Sequence, residues 1–303
     1  MSLTPQHNLY LSKSLYMTGL QCQKALWLHK YQPELKDGIS SEQEAMLDFG
    51  AEVGRYAQEL FPGGVLVPYA DLSHAKQLAI TQDAISNGAS TIYEGAFSYN
   101  DVFIKADILR LGRDGWELYE VKSSASPKEP YPDDIAVQYS VISGTGLPLA
   151  KACLMHLNTN YVRQGTVDVE QLFTIVDLTD KIREMQSDVA EKLAAMRAML
   201  QGNLPDMDIG PNCRDPNVCA FHGHCWAHIP ENSVFDFRGP GRADAFELYR
   251  KGIVRMEDVL AGALGWRQRL QLDGLRYQKN HIDKNAVKAF LDSLWFPLCF
   301  LDF

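Results

Sequence analysis

The stretch from Val102 to Lys122, VFIKADILRLGRDGWELYEVK, constrains the fold of this chain more than any other segment. Two runs rich in β-branched and aromatic residues flank Gly112-Arg113-Asp114-Gly115, which is strong hairpin-turn chemistry. If Arg113-Asp114 forms the loop, paired positions sum to 227 and Asp107 lies opposite Glu120. If Asp114-Gly115 forms it, the sum is 229, with Asp107 opposite Lys122 and Glu120 opposite Leu109. Either two-residue loop sets Asp107, Glu120 and Lys122 on one sheet face, because strand side chains alternate with period two. A three-residue loop would separate them.

In the first register two carboxylates stand about 4.5–5.5 Å apart at Cβ, which is destabilising unless positive charge lies between them. A divalent cation suits the position. Hard oxygen ligands favour Mg²⁺ or Mn²⁺, and such sites leave room for waters and a substrate phosphate. Lys122 projects to the same side as Glu120 and is placed to hold or deprotonate a water there. The plainer alternative is a surface hairpin carrying a solvated Asp/Glu/Lys ladder.

The flanking pattern is helix, strand run, then helix and strand again, the signature of an α/β domain with a mixed sheet. Helices are expected over 12–30, from a Ser41–Glu44 capping box to Pro62, over Ser73–Asn87, Asp133–Ser143 and Thr179–Leu200. The apolar positions Ala45, Met46, Phe49, Val53, Tyr56, Ala57 and Leu60 recur at helical spacing, and Pro62-Gly63-Gly64 ends that helix. Strands are expected at Thr91–Phe97, Val102–Leu111, Trp116–Val121, Ala152–Leu157 and Leu172–Val176. From about Gly239 the chain reads as helical, broken by Gly252, Gly262, Gly265 and Gly274, and closes in a strand-like run, Leu294–Phe303. That ending reads as a truncation, and the opening Met-Ser-Leu as a cloning remnant.

At 303 residues and 46% hydrophobic, the chain has globular composition and room for two domains. No apolar run reaches the ~18–20 residues of a membrane span, and no signal-peptide stretch opens the chain, so a soluble, cytoplasmic protein is expected. The net charge of −9 argues against a wholly basic nucleic-acid-coating surface. Locally, Arg250–Lys288 holds nine Lys/Arg against four acids, a net of +5 that fits solvated helices or a phosphate-tracking patch.

Asp107, the intervening turn and Glu120-Val121-Lys122 together resemble the D…(D/E)-x-K signature of the PD-(D/E)xK nuclease superfamily. Gln138 stands where the RecB-like branch carries its glutamine, although the tyrosine here is Tyr139 and the fourth residue on is Ile142. The resemblance implies a restriction-endonuclease-like mixed sheet flanked by helices. It further implies Asp107, Glu120 and the Val121 carbonyl as metal ligands, Lys122 positioning the water, and Gln138 orienting the lysine or the phosphate. Where that branch commonly has a histidine ligand on its first core helix, this chain has Gly54, and Glu52 or Glu94 is the candidate substitute.

Six cysteines in a chain of this type suggest thiols or metal rather than disulfides. Cys213, Cys219 and Cys225 cluster in a Pro/Asp/Asn-rich stretch, and Cys22 is the candidate fourth ligand; Cys153 and Cys299 lie in apolar runs and read as core. One early cysteine plus three late ones resembles the iron–sulfur nucleases, among them the CRISPR-associated adaptation exonuclease family and AddB-type helicase–nuclease subunits. That resemblance implies a [4Fe–4S] cluster stapling the ends of the nuclease domain; Zn²⁺ with His222 or His224 is the alternative. The likeness runs from residue 8 to about 228.

The expected organisation is a nuclease domain at 1–232 and a locally basic helical appendage at 233–296. The arrangement also resembles an uncharacterised bacterial family that couples such a nuclease module to a C-terminal RNase H-like domain, and Phe300-Leu301-Asp302-Phe303 is similar to the first strand of that domain. The resemblance implies such a strand at 297–303, with Asp302 as a first metal ligand. The expected activity is metal-dependent DNA hydrolysis, as an exonuclease on single strands or duplex ends, in a setting of DNA repair. A catalytically degenerate fold that binds DNA ends or a helicase partner, and a zinc-stabilised scaffold, are the competing classes.

Overall fold

A computed structural model of the chain describes residues 9–68, 72–239, 244–278 and 280–300. The chain divides into two compact units, 1–224 and 225–303.

In the first unit the strands are β1 Leu11–Ser12, β2 Val65–Leu66, β3 Thr91–Tyr99, β4 Val102–Leu111, β5 Trp116–Lys122, β6 Leu149–Leu157 and β7 Phe173–Asp177. The helices are α1 Lys13–Gln21, α2 Gln23–Tyr31, α3 Ser41–Glu59, α4 His74–Ser86, α5 Pro130–Gly144, α6 Val169–Leu172, α7 Thr179–Glu184 and α8 Gln186–Leu200. The strands form one mixed sheet in the order β2-β3-β4-β5-β6-β7, with β1 added parallel to β4. The β3–β4–β5 meander is antiparallel and β6 returns parallel to β5 after the α5 crossover. The expected mixed α/β architecture is the one observed.

Each face of the sheet carries its own apolar layer. On one, Trp116 and Leu118 of β5 meet Ile135, Ala136, Val141 and Ile142 of α5, with Leu26 of α2 and Leu193 of α8 in the same cluster. On the other, Tyr119 and Ile108 pack with Val53 and Ala57 of α3. A fully buried Ile or Leu contributes roughly 1.5–3 kcal/mol, so α5, with Ile135 and Ile142 both fully enclosed, is anchored firmly to the sheet.

Several boundaries differ from the sequence-based expectation. The helix expected over 12–30 is two helices, because Cys22 is extended (φ −160°, ψ 114°) and its thiol instead caps α2 by accepting the Ala25 N–H. The capping box is Ser40 with Gln43, one residue earlier than the Ser41–Glu44 pair. Met46 and Phe49 are exposed: Val53 and Ala57 in the second half of α3 are buried against the sheet, with Tyr56 packed beside them. The helix expected over Thr179–Leu200 is divided into α7 and α8 at Met185.

In the second unit a small core of Val234, Leu248, Met256, Val259, Leu264 and Leu272 gathers α10 Ala245–Arg250 and α11 Trp266–Tyr277. A short helix, α9, covers His222–Trp226. Gly274 lies inside α11 rather than breaking it. Helix α12 Lys284–Asp292 buries none of its residues. Leu294–Phe300, expected as a strand, carries no strand among the described residues, and Cys299, expected in a core, is exposed. Asp302 lies outside the described residues. Among the described residues no helix is long and apolar enough to cross a membrane.

Candidate active site

The hairpin adopts the first of the two registers. Ile108 pairs with Tyr119 and Leu111 with Trp116, sums of 227, and the turn is closed by the Gly112 N–H donating to the Gly115 carbonyl at 2.9 Å. The β4–β5 ladder ends at Ile108–Tyr119, and β4 then takes β1 as its neighbour at Val102 and Phe103. Asp107 sits at this fork. Its carboxylate, not its backbone, holds β5 there, accepting the Val121 N–H at 2.7 Å.

Side-chain alternation is interrupted at the same place. Ala106 and Leu109 enter the same apolar layer although three positions apart. On β3, between the pairs Tyr93–Ile108 and Gly95–Ala106, Glu94 has φ +56°. A left-handed non-glycine residue costs of order 1–3 kcal/mol, and such strain collects at functional sites. The Glu94 carboxylate pairs with Lys105 at 3.4 Å and adds negative potential at Asp107.

Glu120 follows Trp116 and Leu118 on the face that α5 covers, which is why a carboxylate ends up 1% exposed. Burial on that scale requires partners. Lys122 donates to Glu120 Oε1 at 2.6 Å and to Asp134 Oδ2 at 2.5 Å. Lys13, the first residue of α1, donates to both Glu120 oxygens at 3.0 and 3.2 Å and lies 3.3 Å from Asp134 Oδ1. Gln138 Nε2 donates to Glu120 Oε2 at 2.7 Å and contacts Asp134 Oδ1 at 3.2 Å. Asp134 and Gln138 share one face of α5 through their i, i+4 spacing.

The electrostatics follow from crowding. Burial, then the neighbouring charge of Glu120, pushes Asp107 up to about 8, against the pull of Lys13 and Lys122. Asp134 is raised for the same two reasons. Burial also works against the charge on Glu120, but Lys122 and Lys13 outweigh it and hold Glu120 below the usual carboxylate range. Burial acts to lower both lysines, and the carboxylates more than offset it, so each stays an ammonium. In this arrangement Lys122 is a hydrogen-bond donor and a positive charge beside Glu120 and Asp134.

The residues fit a hard divalent cation. Three carboxylates face two ammonium groups, and the Gln138 Oε1 is buried without a hydrogen-bond partner, an acceptor suited to a water of a hydrated ion. Among the described residues no group of three or more His, Cys, Asp or Glu side chains is placed to hold a metal ion, so Asp107 and Glu120 are the two carboxylates available here.

Of the residues expected from sequence, Asp107, Glu120, Val121, Lys122 and Gln138 come together, and Glu94 adjoins Asp107. Glu52 does not join them: it is exposed on α3, which packs on the opposite face of the sheet, and no hydrogen bond or ion pair ties it to Glu120. A side chain at Gly54 would meet open space. Sequence reasoning missed Lys13 and Asp134. Asp134 was within reach, one helical turn before Gln138; Lys13, 107 positions from Glu120, carried no local signal.

Among the described residues the cysteines form no group of three or more placed to hold a metal. Cys22 and Cys219 line one cavity of about 310 Å³. The α1–α2 junction is clamped to the late loop by Gln21 Nε2, which donates to the Asn212 and Asn217 carbonyls at 2.7 Å each. Cys213 is buried, its carbonyl accepting the Cys219 N–H at 2.9 Å. Cys225 lies on α9, and His222 accepts from Arg214 at 3.1 Å. Cys153 is buried in the sheet, as expected.

No family model matches the chain, and no curated protein matches it. Among solved structures it is similar to the alkaline exonuclease LHK-Exo from Laribacter hongkongensis, alone and in complex with dAMP. Each shows 13% identity and a TM-score of 0.37, over 64% of this chain and 91% of that one. It is also similar to SSO0001, with 14% identity and a TM-score of 0.25 over 68% and 82% of the two chains.

Proposed function

We propose that the first unit is a divalent-metal-dependent deoxyribonuclease, acting as an exonuclease on single-stranded DNA or duplex ends. The observation that carries this reading is the placement of Asp107 across the strand fork from Glu120, with Lys122 and Gln138 both bonded to the Glu120–Asp134 cluster. Mg²⁺ or Mn²⁺ held by Asp107, Glu120 and the Val121 carbonyl would supply Lewis acidity toward the scissile phosphate. Lys122 contributes a fixed positive charge and a hydrogen-bond donor beside the reacting group. Gln138 keeps Glu120 oriented through its amide nitrogen, and its amide oxygen is buried without a hydrogen-bond partner. The test is release of nucleotides from labelled single-stranded and blunt duplex DNA with Mn²⁺ or Mg²⁺, compared with the same protein in EDTA. Hydrolysis that persists in EDTA, or survives loss of Glu120, refutes it.

A second proposal concerns the thiols. Cys22, Cys213, Cys219 and Cys225 are read as ligands of a [4Fe–4S] cluster, supported by their order in the sequence and by the cavity that Cys22 and Cys219 share. The competing reading, a degenerate nuclease fold that only binds DNA ends, is favoured by Gly54 and by the Lys13 ammonium on Glu120. The EDTA comparison separates it from an active enzyme.

A further inference from the structure

Building on the nuclease reading, we propose that Lys13 is an internal counter-ion competing with the divalent cation for Glu120, and that it sets the metal concentration the site requires. Each oxygen of Glu120 has a donor besides Lys13. Oε1 already accepts from Lys122 at 2.6 Å and Oε2 from Gln138 at 2.7 Å. What Lys13 adds is charge. With Asp107 holding its proton, Glu120 and Asp134 against Lys122 alone would leave one excess negative charge, and Lys13 cancels it.

Its position is also that of a cation rather than a strut. The ammonium straddles both Glu120 oxygens, at 3.0 and 3.2 Å, on the carboxylate that the proposed metal site uses. Lys13 follows directly on β1, which pairs with β4 at Val102 and Phe103, so its backbone is fixed to the strand that carries Asp107. The side chain has somewhere to go. Asp134 Oδ1 lies 3.3 Å away, so Lys13 can release Glu120 and remain paired in the same pocket. The exchange leaves no buried charge without a partner, which would cost several kcal/mol.

Mn²⁺ titration by calorimetry, without DNA, on chelator-treated wild type, Lys13→Met and Lys13→Arg tests this. Lys13→Met should bind Mn²⁺ about tenfold more tightly, because one charge-assisted pair no longer has to be broken. Lys13→Arg should bind it more weakly than wild type, since a guanidinium fork grips both carboxylate oxygens. In EDTA, Lys13→Met should melt below wild type, and Mn²⁺ should narrow the gap. An unchanged affinity in Lys13→Met overturns the proposal, as does Lys13→Arg binding like wild type, which would mean that only the overall charge matters. If wild type itself binds no Mn²⁺, the metal site fails and this inference falls with it. If wild type binds and the variants match it, the nuclease reading stands and Lys13 is a permanent ion pair.

Discussion

Asp107 accepts the Val121 N–H at 2.7 Å where the β4–β5 ladder has already ended, so one side chain both closes the strand fork and faces Glu120. The price of that placement is a carboxyl pushed up to about 8, by burial and then by Glu120. The folded chain keeps a proton that the unfolded chain gives up near pH 4. Between about 4 and 8 the unfolded state thus binds fewer protons, and stability falls as pH rises through that window. Asp107→Asn keeps an acceptor for Val121 and removes the charge. In EDTA it should be more stable than wild type by about 1–3 kcal/mol at pH 8, with the gain shrinking toward pH 4, as measured by urea unfolding across that range.

Glu120 behaves in the opposite sense, because it neutralises Lys13 and Lys122 rather than suffering from its neighbours. Glu120→Ala leaves two ammonium groups on Asp134 alone and should cost about 3–5 kcal/mol. Relief of repulsion with Asp107 does not offset that. Glu120→Gln keeps the shape and should cost less, yet lower cleavage by at least about a hundredfold, since a neutral amide is a poor ligand for a hard cation. Melting temperature and nucleotide release measured on both variants separate the two effects.

The core of this site was legible because a period-two pattern and a Gly-x-x-Gly turn leave few registers, and both two-residue loops gave the same face for Asp107, Glu120 and Lys122. The fork at Asp107 was not, since a break in alternation depends on which strand lies alongside, and β1 is only two residues long. Helix α3 shows the same limit. Its apolar spacing is real, but spacing does not say that a partner is present, and Met46 and Phe49 face solvent. The extended backbone at Cys22 interrupts a run whose apolar residues continue on both sides, so no periodicity could reveal it.

Gly54 sits mid-helix in α3, and a Cβ there meets nothing within 4 Å. Gly54→Ala should therefore stabilise the protein by about 0.5–1 kcal/mol through helix propensity alone. A loss of stability would mean that a neighbour needs the gap. Gly54→His should fold equally well and so offers a direct check on the histidine this chain lacks. Mn²⁺ affinity that rises in the histidine variant but not in the alanine variant would place α3 within reach of the metal.

The thiols divide by surroundings, and chemistry can read the division. Cys153 is buried between strands, and burial, then the charge of Asp177, pushes its thiol up to about 12. With almost no thiolate at pH 8, it should resist iodoacetamide in the native protein, while the exposed Cys299 is alkylated within minutes. Cys22 and Cys219 share a cavity, and the Gln21 amide bonds hold their segments together with or without a metal. Anaerobically prepared protein should carry about four irons per chain if these thiols ligate a cluster. Cys22→Ala and Cys219→Ala should then lose that iron together, and Cys153→Ala should keep it. Their melting temperatures should fall by less than loss of a sole staple would predict, because Gln21 still ties the α1–α2 junction to Asn212 and Asn217. Full iron retention in Cys22→Ala would remove the early cysteine from the ligand set and leave a local site built from the late segment alone.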